Sequence, residues 1–272
     1  MDTARIAALL EPFLEQSLPE SQLDQISTYI DLLLRWNARI NLTAIRNEEE
    51  IVTRHFGESL FLASHLFPPT FNPCHPERSH VMREAHGAAE SKDPYATSAL
   101  QPYQGVRTSA PDAGAPLIAH VAMSGPPLHP PRVLDIGSGA GFPALPLKIW
   151  APNIHLTLIE SNHKKTAFLR EVARALTLTN INIIADRAEA LAMRQDFPRA
   201  DVVTLRAVER FETILPQAVT FMAVNGRLAL LIGATQVPHL ATLTAIKWHK
   251  PLPVPQSRVR VLSIGVRRTS GK

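Results

Sequence analysis

The most informative segment of this chain, residues 132–143, reads R-V-L-D-I-G-S-G-A-G-F-P. Its first half, Val133 to Ile136, is a short run of strand-forming residues of the kind found in buried parallel strands. The run leads directly into a G-x-G-x-G turn, where glycine tolerates positive φ and lets a ligand reach the backbone. Pro143 suits the first turn of a helix, where a missing N–H costs nothing. Strand, glycine turn and helix start together predict a binding edge for a nucleotide-type ligand.

The spacing of the glycines distinguishes between cofactor classes. Gly137, Gly139 and Gly141 follow an acid, Asp135, that stands two residues before the first glycine. Dinucleotide enzymes carry G-x-G-x-x-G instead, so this pattern favours S-adenosylmethionine over NAD. The alternative is that the glycines serve an ordinary strand–helix turn and bind no ligand.

A second predicted strand, residues 154–159, ends in Glu160. An acid at the tip of the strand after a glycine loop is placed to accept hydrogen bonds from both ribose hydroxyls of a nucleoside. The alternative is a solvated residue that opens a helix capped by Ser161 or Asn162. A third strand, residues 181–185, precedes an acidic loop suited to holding an adenine, although that segment alone is a weak indication.

Length and composition bound the class of protein. The chain has 272 residues, of which 45% are hydrophobic, and this suffices for one large domain or for one domain with an appendage. The most apolar stretch, residues 221–232, is interrupted by Asn225-Gly226-Arg227, so we expect no membrane span. The first residues lack the layout of a secretory signal, and the single cysteine suits a reducing compartment. We therefore expect a cytoplasmic protein, and we expect a monomer.

The distribution of charge is more informative than the net charge of +4. No Asp or Glu occurs after Glu212. The basic residues of this tail are Arg227, Lys247, Lys250, Arg258, Arg260, Arg267, Arg268 and Lys272. Such a tail predicts a surface that faces phosphates, and beside a methyl-donor site it favours nucleic acid over a merely solvated basic face. Arg258 and Arg260 alternate with Val259 and Val261, so we expect both arginines on one face of a strand.

Three regions of the chain differ in character, at residues 1–67, 68–131 and 132–272. The first has a helical pattern, and it predicts an N-terminal helical cap. Its apolar stripe consists of Leu23, Ile26, Ile30, Leu33, Leu34 and Ile40. The second holds 12 of the chain's 23 prolines and has no periodicity, so we expect a disordered insert. Its potential metal ligands fit no zinc spacing, so we expect no metal site; they are Cys74, His75, His80 and His86.

Strands and helices alternate in the third region, which predicts a doubly wound α/β sheet. Beyond the strands given above, we expect strands near residues 202–205, 228–232 and 258–266. The helices are expected near residues 144–150, 164–176 and 211–224.

The chain resembles the bacterial small-subunit ribosomal RNA guanine-N7 methyltransferase family, also called glucose-inhibited division protein B. The resemblance covers residues 20–67 and 132–232. It rests on Trp36-Asn37, Asn41-Leu42-Thr43, Arg54-His55, Glu58-Ser59, the glycine loop with Phe142-Pro143, Glu160-Ser161, Lys164-Lys165, Phe168-Leu169, Ala188-Glu189 and Arg206-Ala207.

This resemblance implies a seven-stranded, Rossmann-like methyltransferase sheet with an N-terminal helical cap. It also implies S-adenosylmethionine as the cofactor and methylation of one guanine in the decoding-centre loop of 16S rRNA. The cofactor-contact positions that it implies are Gly137, Phe142, Ala188, Glu189 and Arg206. Gly139, Gly141 and Glu160 join them on the grounds given above.

The chain departs from the family pattern at three positions and in one segment. The family usually has Asp where Glu58 stands, a second glycine where Ala144 stands and lysine where Ile232 stands. The last difference removes one basic contact. Residues 68–131 are not part of the family pattern and replace a short link.

The chemistry implied by the resemblance needs few catalytic groups. Guanine N7 has a lone pair and no proton, so methyl transfer to it needs no general base and catalysis can come from orientation. The chain lacks the Asn-Pro-Pro-aromatic motif used on exocyclic amines, and Cys74 lies outside the sheet, which disfavours carbon methylation through a cysteine adduct. Arg206, at the end of the predicted fourth strand, is a candidate for positioning guanine or a phosphate. Its alternative role is a surface salt bridge.

The expected macromolecular partner is 16S rRNA or the small ribosomal subunit. The candidates for contact with it are Arg54, His55, Lys164, Lys165, Arg258 and Arg260. Arg54 and His55 can equally serve the packing and capping of their own helix. Two other classes share this fold: an NAD(P)-binding oxidoreductase, for which no hydride-transfer residues are found, and a non-catalytic RNA-binding protein, which would not need the glycines, Glu160 or Glu189.

Overall fold

The computed structural model describes residues 1–68, 129–206 and 211–268. Its centre is one β-sheet of eight strands. The strands are β1 (Arg132–Ile136), β2 (His155–Ile159), β3 (Ile181–Ile184), β4 (Ala200–Arg206), β5 (Met222–Gly233), β6 (Ile246–Trp248), β7 (Leu252–Pro253) and β8 (Arg260–Arg267). Every strand predicted from the sequence is present.

The strand order places a ligand-binding edge beside β1. Seven strands follow the path β3-β2-β1-β4-β5-β8-β6, and the short β7 pairs with β8. Neighbours from β3 to β5 are parallel, whereas β8 is antiparallel to β5. Chain order reverses between β1 and β4, and doubly wound sheets bind ligands at the carboxyl edge of such a switch point. The predicted doubly wound α/β fold is therefore confirmed.

Eight α-helices flank the sheet within the described residues. They are α1 (Thr3–Leu10), α2 (Glu20–Asn37), α3 (Glu48–Ile51), α4 (Glu58–Leu66), α5 (Ala144–Trp150), α6 (His163–Ala175), α7 (Ala188–Ala192) and α8 (Phe211–Phe221). A π-helical turn, Val52–Gly57, joins α3 to α4, and 3₁₀ segments cover Glu11–Phe13 and Ala234–Thr242. The predicted helix at residues 211–224 ends earlier, because Met222 already pairs with Ala200 of β4.

Local side-chain hydrogen bonds explain two of the element boundaries. Asn162 caps α6, since its side chain accepts hydrogen bonds from the backbone N–H groups of Lys164 and Lys165. Asn37 ends α2: its side-chain oxygen accepts from the N–H groups of Leu42 and Thr43, and its amide donates to the Thr43 carbonyl. The Trp36-Asn37 and Asn41-Leu42-Thr43 segments are thus the two sides of one turn.

The apolar stripe of α2 packs into the interior, as predicted. Ile26, Ile30 and Leu33 are fully buried, and Tyr29 and Leu32 are buried with them. Burial of one such side chain contributes about 1.5–3 kcal/mol to folding. Leu23, Leu34 and Ile40 of the predicted stripe are only partly buried, at the margin of the same face.

The N-terminal helices are joined to the sheet by several hydrogen bonds. Trp36 donates to the Glu171 carboxylate of α6 at 3.0 Å, and Gln22 donates to the carbonyl of Ile149 in α5 at 2.9 Å. The described residues on the two sides of the predicted insert belong to one compact unit. The predicted insert, with its cysteine and three histidines, lies almost wholly outside the described residues.

Candidate active site

The glycine loop leaves β1 at the carboxyl edge of the sheet, beside the switch point. Gly137 and Gly139 have φ of 69° and 55°, the left-handed region that glycine adopts without strain. A Cβ at Gly137 would meet no atom of the described residues within 4 Å, and a Cβ at Gly139 would lie 3.8 Å from the Gly137 carbonyl oxygen. These two glycines border open space, as expected of a loop whose backbone a ligand approaches.

Gly141 is required for a different reason. Its φ is 88°, and a Cβ there would collide with the Tyr29 hydroxyl and lie 2.6 Å from Leu145 Cδ1. The Tyr29 hydroxyl donates a hydrogen bond of 2.5 Å to the carbonyl of Ala140. Because Tyr29 belongs to α2, the bare backbone at Gly141 lets the N-terminal helices reach the loop. A cofactor contact at Gly141 stays a prediction.

Asp135 brings a buried carboxyl group to the end of β1. One oxygen, Oδ1, accepts a 2.6 Å hydrogen bond from the Thr204 hydroxyl of β4. The other, Oδ2, is buried and has no hydrogen-bond partner within the described chain. Burial raises the pKa of Asp135 from 3.8 to about 7, against hydrogen bonds that lower it. The residue thus offers an unused acceptor next to the glycine loop.

Glu160 links the glycine loop to the segment after β2. Its Oε2 accepts from the Gly139 N–H at 2.8 Å, and its Oε1 accepts from the Asn162 N–H at 2.8 Å. The side chain is therefore held at the tip of β2, and the alternative of a freely solvated residue does not apply because Glu160 is buried. Each carboxylate oxygen retains further acceptor capacity toward a ribose.

The loop after β3 contributes the start of α7 to the same edge. Ala188 is buried and Glu189 is exposed, and both lie at the start of α7, in the segment that follows the third strand. Asp186 accepts a hydrogen bond from the N–H of Arg187. The structure brings Gly137, Gly139, Glu160 and Glu189 to the carboxyl edge of three adjacent strands.

Phe142 is stacked between two rings from the N-terminal helices. Its ring lies 5.3 Å from that of Tyr29 and 4.6 Å from that of His55, nearly parallel to both. Only 8% of Phe142 is exposed, so most of its surface contacts protein. Its contact with the cofactor stays a prediction.

His55 is held as a neutral ring in this stack. Its Nε2 lies 2.7 Å from the Thr43 hydroxyl oxygen, and its Nδ1 is buried and unpaired in the part of the chain described here. Burial, together with the nearby guanidiniums of Arg206, Arg260 and Arg54, lowers the pKa of His55 from 6.5 to about 3. The ring therefore carries no charge near neutral pH.

Arg206 fastens the N-terminal helices to the end of β4. Its Nη2 donates to the Arg54 carbonyl and, at 2.9 Å, to the Glu58 carboxylate. Its Nη1 donates to the His55 carbonyl and the Ser59 hydroxyl, each at 3.4 Å. The ion pair with Glu58 is buried, with 6% and 2% of the two side chains exposed, and is not the surface salt bridge considered as its alternative role. Substrate positioning by Arg206 remains a prediction.

The expectation that the basic tail faces phosphates is wrong for two of its arginines, and for the remaining basic residues it stays a prediction. Arg267 donates to the Met222 carbonyl at 2.6 Å and to the Val219 carbonyl, both at the end of α8. Arg227 donates to the Leu66 carbonyl. Both guanidiniums satisfy orphan carbonyls at helix ends, a role that charge counting does not reveal.

The predicted common strand face of Arg258 and Arg260 is also wrong. The Ser257 hydroxyl accepts hydrogen bonds from the N–H groups of Val259 and Arg260, which makes a bend, and β8 begins only at Arg260. Val259 is consequently 67% exposed instead of facing the interior. Arg258 is exposed in the bend, whereas Arg260 donates to Glu58 at 2.9 Å.

The two predicted lysine contacts lie on the first turn of α6. Lys164 is exposed and Lys165 is partly exposed. They follow Glu160 and Asn162 closely, so they stand at the carboxyl edge near the glycine loop. Their contact with RNA stays a prediction.

Two further observations limit what the described residues can hold. No group of three or more His, Cys, Asp or Glu there could bind a metal ion. A cavity of about 410 Å³ opens at the opposite, amino edge of the sheet, where Arg132, His155, Asn180 and Arg199 line it among apolar residues. None of the predicted site residues borders this cavity.

The family pattern of GidB, rRNA small subunit methyltransferase G, matches residues 22–70 and 121–250 of this chain. The chain belongs to this family. Ribosomal RNA small subunit methyltransferase G of Streptococcus pyogenes serotype M5 (strain Manfredo) is 30% identical over 216 residues, which are 79% of this chain and 67% of that protein. The protein of the same name from Roseiflexus castenholzii is 32% identical over 211 residues, 77% of this chain and 64% of that protein.

The solved structures that match do so over about half of this chain. A ribosomal protein L11 methylase from Lactobacillus delbrueckii subsp. bulgaricus is 17% identical and covers 55% of this chain and 74% of its own, with a TM-score of 0.44. Pyrococcus horikoshii TYW2 in complex with MeSAdo is 16% identical and covers 52% and 58%, with a TM-score of 0.42. The family assignment rests on sequence and does not depend on these overlaps.

Several site residues were not identified from the sequence. Tyr29, Thr43 and Glu58 lie far along the chain from the glycine loop. Only packing shows that Tyr29 bonds to the loop, that Thr43 contacts His55 beside it and that Glu58 pairs with Arg206. Asp135 was noted as part of the glycine pattern, but not as a binding residue. Its position at the carboxyl end of β1, between two buried strands, is the indication that could have identified it.

No helix within residues 1–68, 129–206 and 211–268 is both long and apolar enough to span a membrane.

Proposed function

We propose that this chain is an S-adenosylmethionine-dependent methyltransferase that acts on N7 of one guanine in 16S rRNA. The observation that carries the proposal is the carboxyl edge at β1 and β2, where two glycines border open space between the carboxyl groups of Asp135 and Glu160. Membership of the rRNA small subunit methyltransferase G family supports the reaction and the class of RNA.

The residues present fit the cofactor in charge and in shape. Asp135 Oδ2 is a buried acceptor without a partner in the described chain, and it suits the positive end of the ligand. Glu160 and Glu189 provide acceptors for ribose and adenine at the ends of β2 and β3. Gly137 and Gly139 permit the close backbone approach. When bound, S-adenosylmethionine supplies an electrophilic methyl group.

This chain's own residues would act by binding and orientation. Guanine N7 attacks through a lone pair and has no proton to lose, so no general base is required. His55 stays neutral because burial holds its pKa at about 3, and it stacks against the glycine loop instead of shuttling a proton. The packed rings of Tyr29, Phe142 and His55 fix the loop and exclude water from its inner side.

The RNA side of the site would be formed by basic residues around the same edge, in the cytoplasm. They are Arg54, His55, Lys164, Lys165, Arg258 and Arg260. Arg258 and Lys164 are exposed and offer uncommitted cations. Arg206, already committed to the N-terminal helices, would position the substrate indirectly by fixing them.

The test is methyl transfer to defined RNA. Purified protein with labelled S-adenosylmethionine should methylate one guanine of 16S rRNA, or of small subunits, taken from cells that lack this protein. Mass mapping identifies the nucleotide and the N7 position. Calorimetry with S-adenosylmethionine and, separately, with NADH distinguishes the oxidoreductase class. Absence of transfer to both naked RNA and subunits, with intact cofactor binding, would overturn the substrate assignment.

A further inference from the structure

Glu58 lies at the meeting point of three arginines from three different parts of the fold. Its Oε2 accepts from Arg206 Nη2 and from Arg260 Nη1, each at 2.9 Å. Its Oε1 lies 3.4 Å from Arg54 Nε. Arg206 ends β4, Arg260 begins β8, and Arg54 belongs to the π-helical turn before α4. One carboxylate, with 2% of its side chain exposed, therefore gathers three guanidiniums.

The three arginines are not equally committed. Both Nη atoms of Arg206 are used inside the protein, and 6% of its side chain is exposed. Arg260 and Arg54 are 26% and 42% exposed. In the described part of the chain, Arg260 Nε and Nη2 and Arg54 Nη2 have no partner. The rim of the cluster thus has free, outward donors.

The cluster carries surplus positive charge. Glu58 neutralises one of three guanidiniums, and the further carboxylate in contact, Glu50, is half-exposed and 3.7 Å from Arg54. The positive charge of the three arginines also acts on His55, because they lower its pKa in addition to the effect of burial. The buried Arg206 is matched by Glu58, so the surplus charge belongs to Arg54 and Arg260, whose side chains are partly exposed to solvent.

The surplus lies at the edge of the sheet that holds the glycine loop. Arg260, the first residue of the antiparallel β8, pairs with Gly233, the last residue of β5, and Arg206 ends β4, so both arginines lie at the edge formed by the carboxyl ends of the parallel strands. Arg54 precedes His55, whose ring stacks on Phe142 of the loop. An anion bound at Arg54 and Arg260 would therefore sit beside the methyl-transfer site.

We propose that Arg54 and Arg260 form a two-guanidinium clamp for a backbone phosphate of the RNA strand that enters the site, and that Glu58 is the positioning residue that holds the clamp. The proposal rests on the proposed function for the identity of the anion. Guanidinium forks suit phosphate oxygens, and the Glu58 carboxylate keeps two like charges close together, with Arg260 at Oε2 and Arg54 at Oε1. A phosphate fixed there would set the register of the strand, with no reading of the base.

The first test compares Arg260→Gln with Arg194→Gln. Arg194 is equally a cation in an ion pair, with Asp196, but it follows α7 and precedes β4, at the amino edge of the sheet. We expect Arg260→Gln to reduce the slope of log affinity for the 16S target fragment against log salt by about one unit. Arg194→Gln should leave the slope unchanged. An unaltered slope in folded Arg260→Gln would overturn the clamp.

The second test addresses Glu58. Glu58→Gln adds positive charge, which raises affinity for every RNA alike, so the informative quantity is the ratio of affinities for the target fragment and a scrambled RNA of equal length. We expect this ratio to fall several-fold in Glu58→Gln and to recover in Glu58→Asp, which keeps a carboxylate. An unchanged ratio in both variants would contradict positioning by Glu58. If Glu58→Gln fails to fold, Glu58→Asp and Arg54→Gln still test the clamp.

Methyl transfer by the wild-type chain, measured in the same samples, separates the two proposals. If the wild type transfers the methyl group but Arg260→Gln leaves the salt slope unchanged, the clamp is wrong and the proposed function stands. Absence of transfer by the wild type would remove the proposed function itself, and the Arg260→Gln slope would then report on RNA binding alone.

Discussion

The glycines of the loop after β1 meet different neighbours, so substitutions at single residues have separable effects. Gly137 and Gly139 face open space, whereas Gly141 faces the Tyr29 hydroxyl and Leu145. At the first two positions a side chain would obstruct a ligand. At the third it would obstruct the packing of α2.

Gly139→Val should abolish S-adenosylmethionine binding and leave the fold in place. A β-branched side chain at φ 55° adds backbone strain of about 1–3 kcal/mol, but the space around it is open, so the fold should survive. Calorimetry measures the affinity and thermal unfolding measures the stability. Gly141→Ala is the matched control and should chiefly lower the melting temperature. Unchanged affinity in Gly139→Val would remove the cofactor assignment.

Asp135 should couple cofactor binding to pH. Burial raises its pKa from 3.8 to about 7, so between these values the folded chain holds a proton that the unfolded chain releases. Its contribution to stability is therefore present at low pH and is lost as the pH rises through about 7. A cationic ligand favours the carboxylate, so binding at about pH 6 should release a proton.

The proton release is measured by calorimetry in two buffers of different ionisation enthalpy. In wild-type protein the apparent binding enthalpy should differ between the buffers, and affinity should rise with pH. In Asp135→Asn both dependences should disappear. Equal enthalpies in both buffers for the wild type would show that Asp135 does not change its protonation on binding.

At the scale of elements, the main feature is the contact of helix α2 with the glycine loop. Tyr29, in the middle of α2, donates a hydrogen bond to the Ala140 carbonyl and stacks on Phe142. Asn37, at the end of α2, stabilises the turn that places Thr43 beside His55. The loop is thus supported from its inner side by a helix that lies more than a hundred residues earlier in the chain.

Tyr29→Phe should weaken both the fold and the cofactor site. It removes the hydroxyl and leaves the Ala140 carbonyl unpaired, at a cost of about 1–3 kcal/mol, while the stacked ring remains. Urea unfolding measures the first effect, and S-adenosylmethionine affinity measures the second. Ser27→Ala, which removes a hydroxyl of the same helix bonded to the Met1 carbonyl, should leave the affinity unchanged. Equal loss of affinity in both variants would mean that α2 acts only through general stability.

The boundary of one element explains why the predicted common strand face of Arg258 and Arg260 is wrong. Alternation of Arg258, Val259, Arg260 and Val261 predicts a strand, but the Ser257 hydroxyl captures two backbone N–H groups and delays β8. A backbone N–H group can bond either to a nearby side chain or to the neighbouring strand. Which of the two it chooses depends on the tertiary structure, and the periodicity of the sequence does not show it.

At the scale of the whole molecule, the N-terminal helices and the sheet form one unit, closed by the buried pairing of Arg206 with Glu58. The two halves of the site therefore depend on each other for stability. The domain boundaries at residues 67 and 131 remain predictions, because residues 69–128 lie outside the described residues.

Replacement of residues 70–127 by a short Gly-Ser linker should leave the melting temperature and methyl transfer nearly unchanged. The family pattern has no match between residues 70 and 121, which make up most of this segment, and the cost of loop closure changes only logarithmically with loop length. Thermal unfolding and transfer to 16S rRNA are the measurements. A large drop in melting temperature would show that the segment packs, and a selective loss of RNA affinity would make it part of the substrate interface.

The local pattern of this chain determined its class of fold, its glycine loop, the acids at β1 and β2 and its family, because strand, turn and cap preferences act over a few residues. Tertiary structure decided what those patterns do not contain: that Gly141 admits Tyr29, that Arg206 and Arg260 share Glu58, and that Arg267 closes a helix end. These contacts join residues distant in sequence. The free energies of these contacts depend on how deeply the groups are buried and on which partner lies beside them. Neither property follows a periodic pattern along the chain.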